Sequence, residues 1–192
     1  MTTVLQTYLR THTDLTDDDI ARVEAAGIQK TLRRNELLLM QGDICRHKTF
    51  VAKGLLRTYG MAEDGSEHIL QFATENTWTL DAESYDYVKP ALYNIAAVEH
   101  SEVLMWPKPE FDHLLKDIPG LKIFSERLIS RTLYSGRQRL FTTLSATPEE
   151  KYEDFVKTSP QLLVRLPLHM IASYLGISLK TLTRIRHAQL HR

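Results

Sequence analysis

Between Glu36 and Trp106 the apolar residues fall in short runs broken by turn residues, whereas beyond Pro107 they recur at helical spacing. The short runs predict strands over residues 36–40, 49–53, 55–61, 68–73, 94–98 and 102–106. Gln41-Gly42-Asp43, Lys53-Gly54 and Asp64-Gly65 supply turns between them, and Asp64-Gly65 predicts a two-residue type I′ turn. Strands this short and this frequent argue for a sandwich, roll or barrel. Ahead of them, Leu15, Ile20, Val23 and Ala26 predict one helix over residues 11–27, with Gly27 as its stop.

After Pro107 and Pro109 a short helix is expected over residues 110–116. Asp117 then reads as the N-cap of a longer helix with Pro119 near its start. Residues 121–144 contain no proline, and Leu121, Phe124, Leu128, Leu133, Leu140 and Leu144 form an apolar stripe. A helix of about 25 residues spans roughly 37 Å. That length suits a dimer seam; lying along its own β region is the other reading. Thr147-Pro148-Glu149-Glu150 is a capping box that opens a new helix reaching residue 157, so a boundary falls near Ser145-Ala146. The expected domains are residues 1–116, 117–145 and 146–192.

Composition narrows the function classes. The chain has 192 residues, 43% of them hydrophobic, and no apolar run approaches the roughly 20 residues of a membrane span. Met1 to Arg10 lacks a signal-peptide pattern. The single Cys45 excludes an internal disulfide, cysteine-rich zinc modules and a four-cysteine cluster, and a cytoplasmic location is expected. The net charge of zero hides an asymmetry. Residues 1–119 hold 12 Lys and Arg against 19 Asp and Glu, and residues 120–192 hold 12 against 5. From Ser159 onward there are five basic residues and no acid, a bias that suits a polyanionic partner.

Residues 167–187 bring that bias onto a motif. A helix over residues 167–175, a left-handed turn at Gly176 and a second helix capped by Ser178 are expected. Ile171, Ala172, Leu175, Ile177, Leu182 and Ile185 fall where the two helices face each other. Lys180, Thr181, Arg184 and His187 fall on the outer side. This is the pattern of a helix-turn-helix, whose second helix enters the major groove of DNA. An αα-hairpin with polar outer residues is the plain alternative.

At Ile171-Ala172-Ser173-Tyr174-Leu175-Gly176-Ile177-Ser178 and Thr181-Leu182-Thr183-Arg184-Ile185-Arg186 the chain resembles the Crp/Fnr regulators, most of all their short Bacteroidetes members. Thr147 to Tyr152 and Phe50-Val51-x-Lys53-Gly54-x-x-Arg57 fit as well. The resemblance implies an α+β chain: a double-stranded β-helix (jelly-roll) domain like those that bind cyclic nucleotides, a long dimerisation helix and a C-terminal winged helix-turn-helix. It implies a homodimeric, non-enzymatic transcription regulator that binds palindromic promoter sites in double-stranded DNA, with RNA polymerase and a small-molecule effector as further partners. The expected DNA-binding residues are Ser178, Leu179, Lys180, Thr181, Arg184 and His187. Leu179 stands where the family usually has a polar residue. The expected dimer interface is Leu121, Phe124, Leu128, Leu133 and Leu140.

The sensor departs from the cyclic-AMP pattern. That cassette needs a Gly-Glu pair and, further on, an Arg followed by Ser or Thr, because a buried phosphodiester requires charge-assisted donors. Here no glycine lies between Gly65 and Gly120 and no arginine between Arg57 and Arg127, and Tyr93-Asn94 stand in place of the Arg pair. A pocket for another ligand is expected from Trp78, Glu83, Tyr85, Lys89, Tyr93 and Asn94, although aromatics there also suit a core. No metal and no cofactor are expected. His187 and His191 have the i, i+4 spacing of a metal pair but lie in a basic tail, and Cys45 reads either as a reactive or as a buried thiol.

Overall fold

Thr3 and Thr16 each cap a helix through a side-chain oxygen, so the first 27 residues form two helices where one was expected. The computed structural model describes residues 2–190. Helix α1 runs Val4–His12 and α2 runs Asp17–Ala25. Thr16 accepts from the Asp19 amide, and three aspartates fill the first turn of α2, where the helix dipole favours negative charge. His191 and Arg192 lie outside the described residues.

The described chain divides into two units, one of Met1–Gly60 with Gln71–Ile129, the other of Met61–Leu70 with Ser130–Arg192. The first is a β-roll. Its strands are β1 (Ile28–Leu32), β2 (Leu37–Leu39), β3 (His47–Lys53), β4 (Leu56–Met61), β5 (Glu67–Ala73), β6 (Thr77–Thr79), β7 (Asn94–Ala97) and β8 (Ser101–Pro107). They form two four-stranded sheets, ordered β1-β8-β3-β6 and β2-β7-β4-β5. Six of the eight match the expected strands to within two residues at either end. The additional β1 and β6 pair antiparallel with β8 and β3.

Period-two alternation puts successive side chains of one strand into different layers. Val51, Val103, Leu32, Leu56, Ile95 and Ala97 pack between the sheets. Their neighbours Phe50, Leu104 and Trp106 point to the other side, where Trp78 joins them against a layer of helices. That layer consists of α1, α2, α4 (Lys108–Asp117) and the start of α5 (Pro119–Ser145). Trp106 is fully buried and its indole N–H donates to Val23 O at 2.7 Å. Removing such a ring costs about 3–5 kcal/mol. At the β3–β4 corner Gly54 has φ +95°, and a Cβ there would sit 2.3 Å from Ser101 Oγ, so only glycine fits.

Two local expectations are corrected. Asp64 is not in the left-handed region; among residues 62–66 only Gly65 has positive φ. The Ala62 amide donates to Ser66 O and the Gly65 amide to Ala62 O, so the hairpin closes through a three-residue loop in place of a type I′ turn. Asp117 does not cap the long helix. It ends α4, and its carboxylate pairs with Arg22 at 2.9 Å.

The second unit is helical apart from its Met61–Leu70 stretch. The latter part of α5 leads to α6 (Pro148–Thr158), a 3₁₀ turn (Pro160–Leu162), α7 (Leu168–Leu175) and α8 (Leu179–Leu190). The capping box forms as expected, with the Glu150 amide 3.3 Å from Thr147 Oγ1 and the Thr147 amide 2.8 Å from Glu150 Oε2. Its core holds Tyr152, Phe155, Leu162, Leu166, Met170, Ile171, Ala172, Leu175, Leu182 and Ile185. Among the described residues no strand follows Pro107, so the helix-turn-helix carries no strand wing within residues 108–190.

Candidate nucleic-acid interface

Gly176 sets the joint between α7 and α8. It adopts φ +65°, its amide donates to Ser173 O and the following Ile177 amide donates to Ala172 O. This pair of bonds is a Schellman ending, which satisfies the last carbonyls of α7 and turns the chain sharply. Ser178 then caps α8, its Oγ accepting from the Thr181 amide at 3.0 Å. Leu182 and Ile185, 0% and 3% exposed, anchor α8 on α7 and α6. Burying two such side chains stabilises the unit by roughly 1.5–3 kcal/mol each. Pro167, expected inside α7, is its N-cap residue.

The outer side of α8 follows from that anchoring. Leu179, Lys180, Arg184 and His187 are exposed, and with Thr183 and Ala188 they line one open depression along the helix. Ser178 and Thr181 are engaged locally, their hydroxyls 2.8 Å apart in the cap. Arg184 is joined to an acid to which the sequence assigns no role: its guanidinium donates to Glu149 Oε1 at 2.9 Å, from α8 to the first turn of α6.

Within the same unit, the Met61–Leu70 hairpin is tied to α5 and α7. Ser173 Oγ donates to Glu67 O at 2.7 Å and accepts from the Ile69 amide at 3.0 Å. Arg139 donates to Ile69 O and Tyr174 O at 3.2 and 3.0 Å, with its guanidinium carbon 3.9 Å from the Tyr174 ring centre. Burial pushes the Arg139 pKa down, and the nearby Tyr174 partly offsets this. No sequence motif marks this clasp, because its partners are backbone atoms 35 to 106 residues away.

The expected dimer stripe is corrected at its start. Leu121 and Phe124, 0% and 8% exposed, belong to the β-roll's own core, and Leu128 packs partly against it. They are therefore not available to a partner helix. Further along α5 the apolar residues are uncovered: Ile129 64%, Leu133 53%, Leu140 58%, Phe141 65% and Leu144 78% exposed. Gly136 falls among them, and a Cβ there would meet nothing within 4 Å.

The six expected pocket residues do not converge. Trp78 lies in the helix-facing core, its ring centre 5.2 Å from Phe50 and 5.1 Å from Trp106. Tyr85 lies in the other core, between the sheets. Helix α3 (Ala82–Tyr87) is held by Asp81, which accepts from the Ser84 and Leu92 amides. Glu83 is paired with Lys89 at 2.6 Å. Asn94 is buried and accepts from the Gln41 amide, and Tyr93 is exposed. Cys45 is a buried thiol whose pKa burial pushes up, which disfavours the reactive thiolate. Among the described residues no group of three or more His, Cys, Asp or Glu could hold a metal ion.

Residues 29–117 match the family model described as cyclic nucleotide-binding domain. The transcriptional activator protein Anr of Pseudomonas aeruginosa is 24% identical over 171 residues, covering 81% of this chain and 68% of its own. The transcriptional activator protein FnrA of Stutzerimonas stutzeri is 26% identical over the same shares. The structure of FixK2 from Bradyrhizobium japonicum is similar with a TM-score of 0.74 at 16% identity, covering 86% of this chain and 84% of that one. A transcriptional regulator assigned to the Crp/Fnr family in Eubacterium rectale gives 0.71 at 17%, covering 96% and 88%.

The β-roll thus carries the match to the cyclic nucleotide-binding domain, and the chain as a whole is similar to transcription regulators of the Crp/Fnr type. Helices α7 and α8 form its helix-turn-helix. No described helix is long and apolar enough to cross a membrane.

Proposed function

We propose that the chain is a homodimeric transcription regulator that reads palindromic duplex DNA through the outer side of α8. The observation that carries the reading is the sidedness of that helix: Leu182 and Ile185 are buried, while Lys180, Arg184 and His187 are exposed on a helix without an acid. Arg184 is the residue best suited to read a base, since guanidinium donates in bidentate fashion to guanine O6 and N7. Lys180 and His187 serve the sugar–phosphate backbone, and Leu179, 48% exposed in the first turn, offers an apolar contact to a thymine methyl. The uncovered stripe from Ile129 to Leu144 supports pairing of two α5 helices, which would set two copies of α8 on half-sites about 34 Å apart.

The effector of the β-roll is read as something other than a cyclic nucleotide held in the usual cassette. Tyr93 and Asn94 supply no guanidinium for a phosphate, and Glu83 is already engaged by Lys89. A buried phosphodiester without a charged donor is too costly.

Selection of bound sequences from a random duplex pool tests the reading. A palindromic consensus is expected, bound by a dimer with an affinity that falls steeply with salt. Arg184→Ala should then lose discrimination at one position of each half-site, by about 1–3 kcal/mol. An unaltered preference in that variant would remove Arg184 from the role, and no enrichment from the pool would remove the function.

A further inference from the structure

Arg184 is the base-reading candidate on α8, yet it does not stand free. Glu149 Oε1 accepts from its guanidinium at 2.9 Å, and the two side chains are 48% and 69% exposed. The pairing follows from how α6 begins. The capping box takes Glu150 back to Thr147, so the two adjacent glutamates of the first turn have different duties. Glu149 has no part in the cap and reaches α8 instead. The N-terminal end of a helix also favours a negatively charged side chain, which suits Glu149 to its place beside Arg184. From residue 155 onward the sequence has no acid, so the acid that meets α8 comes from α6, which also carries Glu150, Glu153 and Asp154.

The geometry points to Glu149 as a positioning residue that sets the sequence selectivity of Arg184, an inference that rests on the DNA-reading function proposed above. Two physical effects run the same way. The ion pair gives the guanidinium a competing acceptor, so leaving Glu149 is favourable only for a partner with two aligned acceptors. Guanine O6 and N7 meet that requirement; a phosphate can also accept twice, so discrimination against it comes from charge. The carboxylate also repels a phosphate that approaches the Arg184 guanidinium, which weakens the sequence-independent binding made through that side chain. Glu149 therefore acts against the wrong partner more than for the right one, raising selectivity at some cost in affinity.

The test is a double-mutant cycle on the full-length protein, using Glu149→Gln and Arg184→Ala. Binding of the pool-selected duplex and of a scrambled duplex is measured at one salt concentration. Glu149→Gln should tighten the scrambled duplex about three- to tenfold and change the selected duplex by less than about twofold, in keeping with the modest strength of exposed ion pairs. In the Arg184→Ala background the same substitution should leave the ratio of the two affinities unchanged, because Glu149 acts through Arg184. An equal change of the ratio in both backgrounds would mean a general charge effect and overturn the proposal, as would no change in either. If the unaltered protein shows no preference for any duplex, the DNA-reading function itself fails, a result distinct from the other two. Glu150 is left in place so that the α6 cap, and with it the fold, is retained.

Discussion

At the scale of single residues, Lys48 shows how far a charge can be drawn into this fold. It is 8% exposed on β3, with its ammonium 4.6 Å from the Phe111 ring centre and 6.0 Å from that of Trp78. Burial pulls its pKa down; Asp86 and Asp112 oppose the change and Lys108 adds to it. The folded state therefore holds this proton less well than the unfolded chain does. Between the lowered folded pKa and the ordinary lysine value, the unfolded chain binds more protons, so stability rises as pH climbs through that window. Lys48→Met should stabilise the protein by about 1 kcal/mol at neutral pH by removing a buried charge. Melts recorded from pH 7 to 10 should show the gain shrinking as the pH increases; a less stable variant at neutral pH would show that the cation–ring contacts outweigh desolvation. The sequence did not distinguish Trp78 and Tyr85 as core residues from Trp78 and Tyr85 as pocket residues. An aromatic side chain serves either environment, and only the strand pairing of Phe50 with Trp78 shows which layer it enters.

At the scale of elements, legibility tracked the strength of local signals. The Thr147-Pro148 start, the Gly176 turn and the Ser178 cap are written in adjacent residues, and each has the expected hydrogen bonds. The two strands that went unread carry little pattern: β6 has three residues, and the burial of β1 reaches the core class only at Leu32. The start of α2 was legible in Thr16-Asp17-Asp18-Asp19 but was absorbed into a longer apolar period. Helix α5 is the instructive case. Its stripe is continuous in sequence, but its beginning belongs to the β-roll core and only the part from Ile129 onward is uncovered. Self-association is thus argued from Leu133 and Leu140, not from Leu121 and Phe124. Replacing both with Asp should convert a dimer to monomer in sedimentation equilibrium, with an association constant lower by a factor of at least about 10⁴, since a symmetric seam loses four leucines and each, when buried, contributes roughly 1.5–3 kcal/mol. Unchanged association would place any dimer contact elsewhere.

At the scale of the whole molecule, the Ser173 and Arg139 clasp is the feature that no local reading could supply. Ser173→Ala would leave the Ile69 amide without its acceptor, and an unsatisfied buried donor costs about 1–3 kcal/mol. Faster hydrogen exchange at the Ile69 amide, with the core strands β3 and β8 unaffected, is the expected result. Uniform protection would show that water replaces the hydroxyl at no cost. Because the chain passes between its two units at residues 60–61, 70–71 and 129–130, neither is a continuous stretch of sequence. A ribosome therefore releases the Glu67 and Ile69 backbone groups about a hundred residues before the serine that binds them exists. Until then that hairpin is an open template for pairing with a neighbouring nascent chain, and the polar side chains at and beside its loop, Glu63, Asp64, Ser66 and Glu67, favour its solvation in the interval.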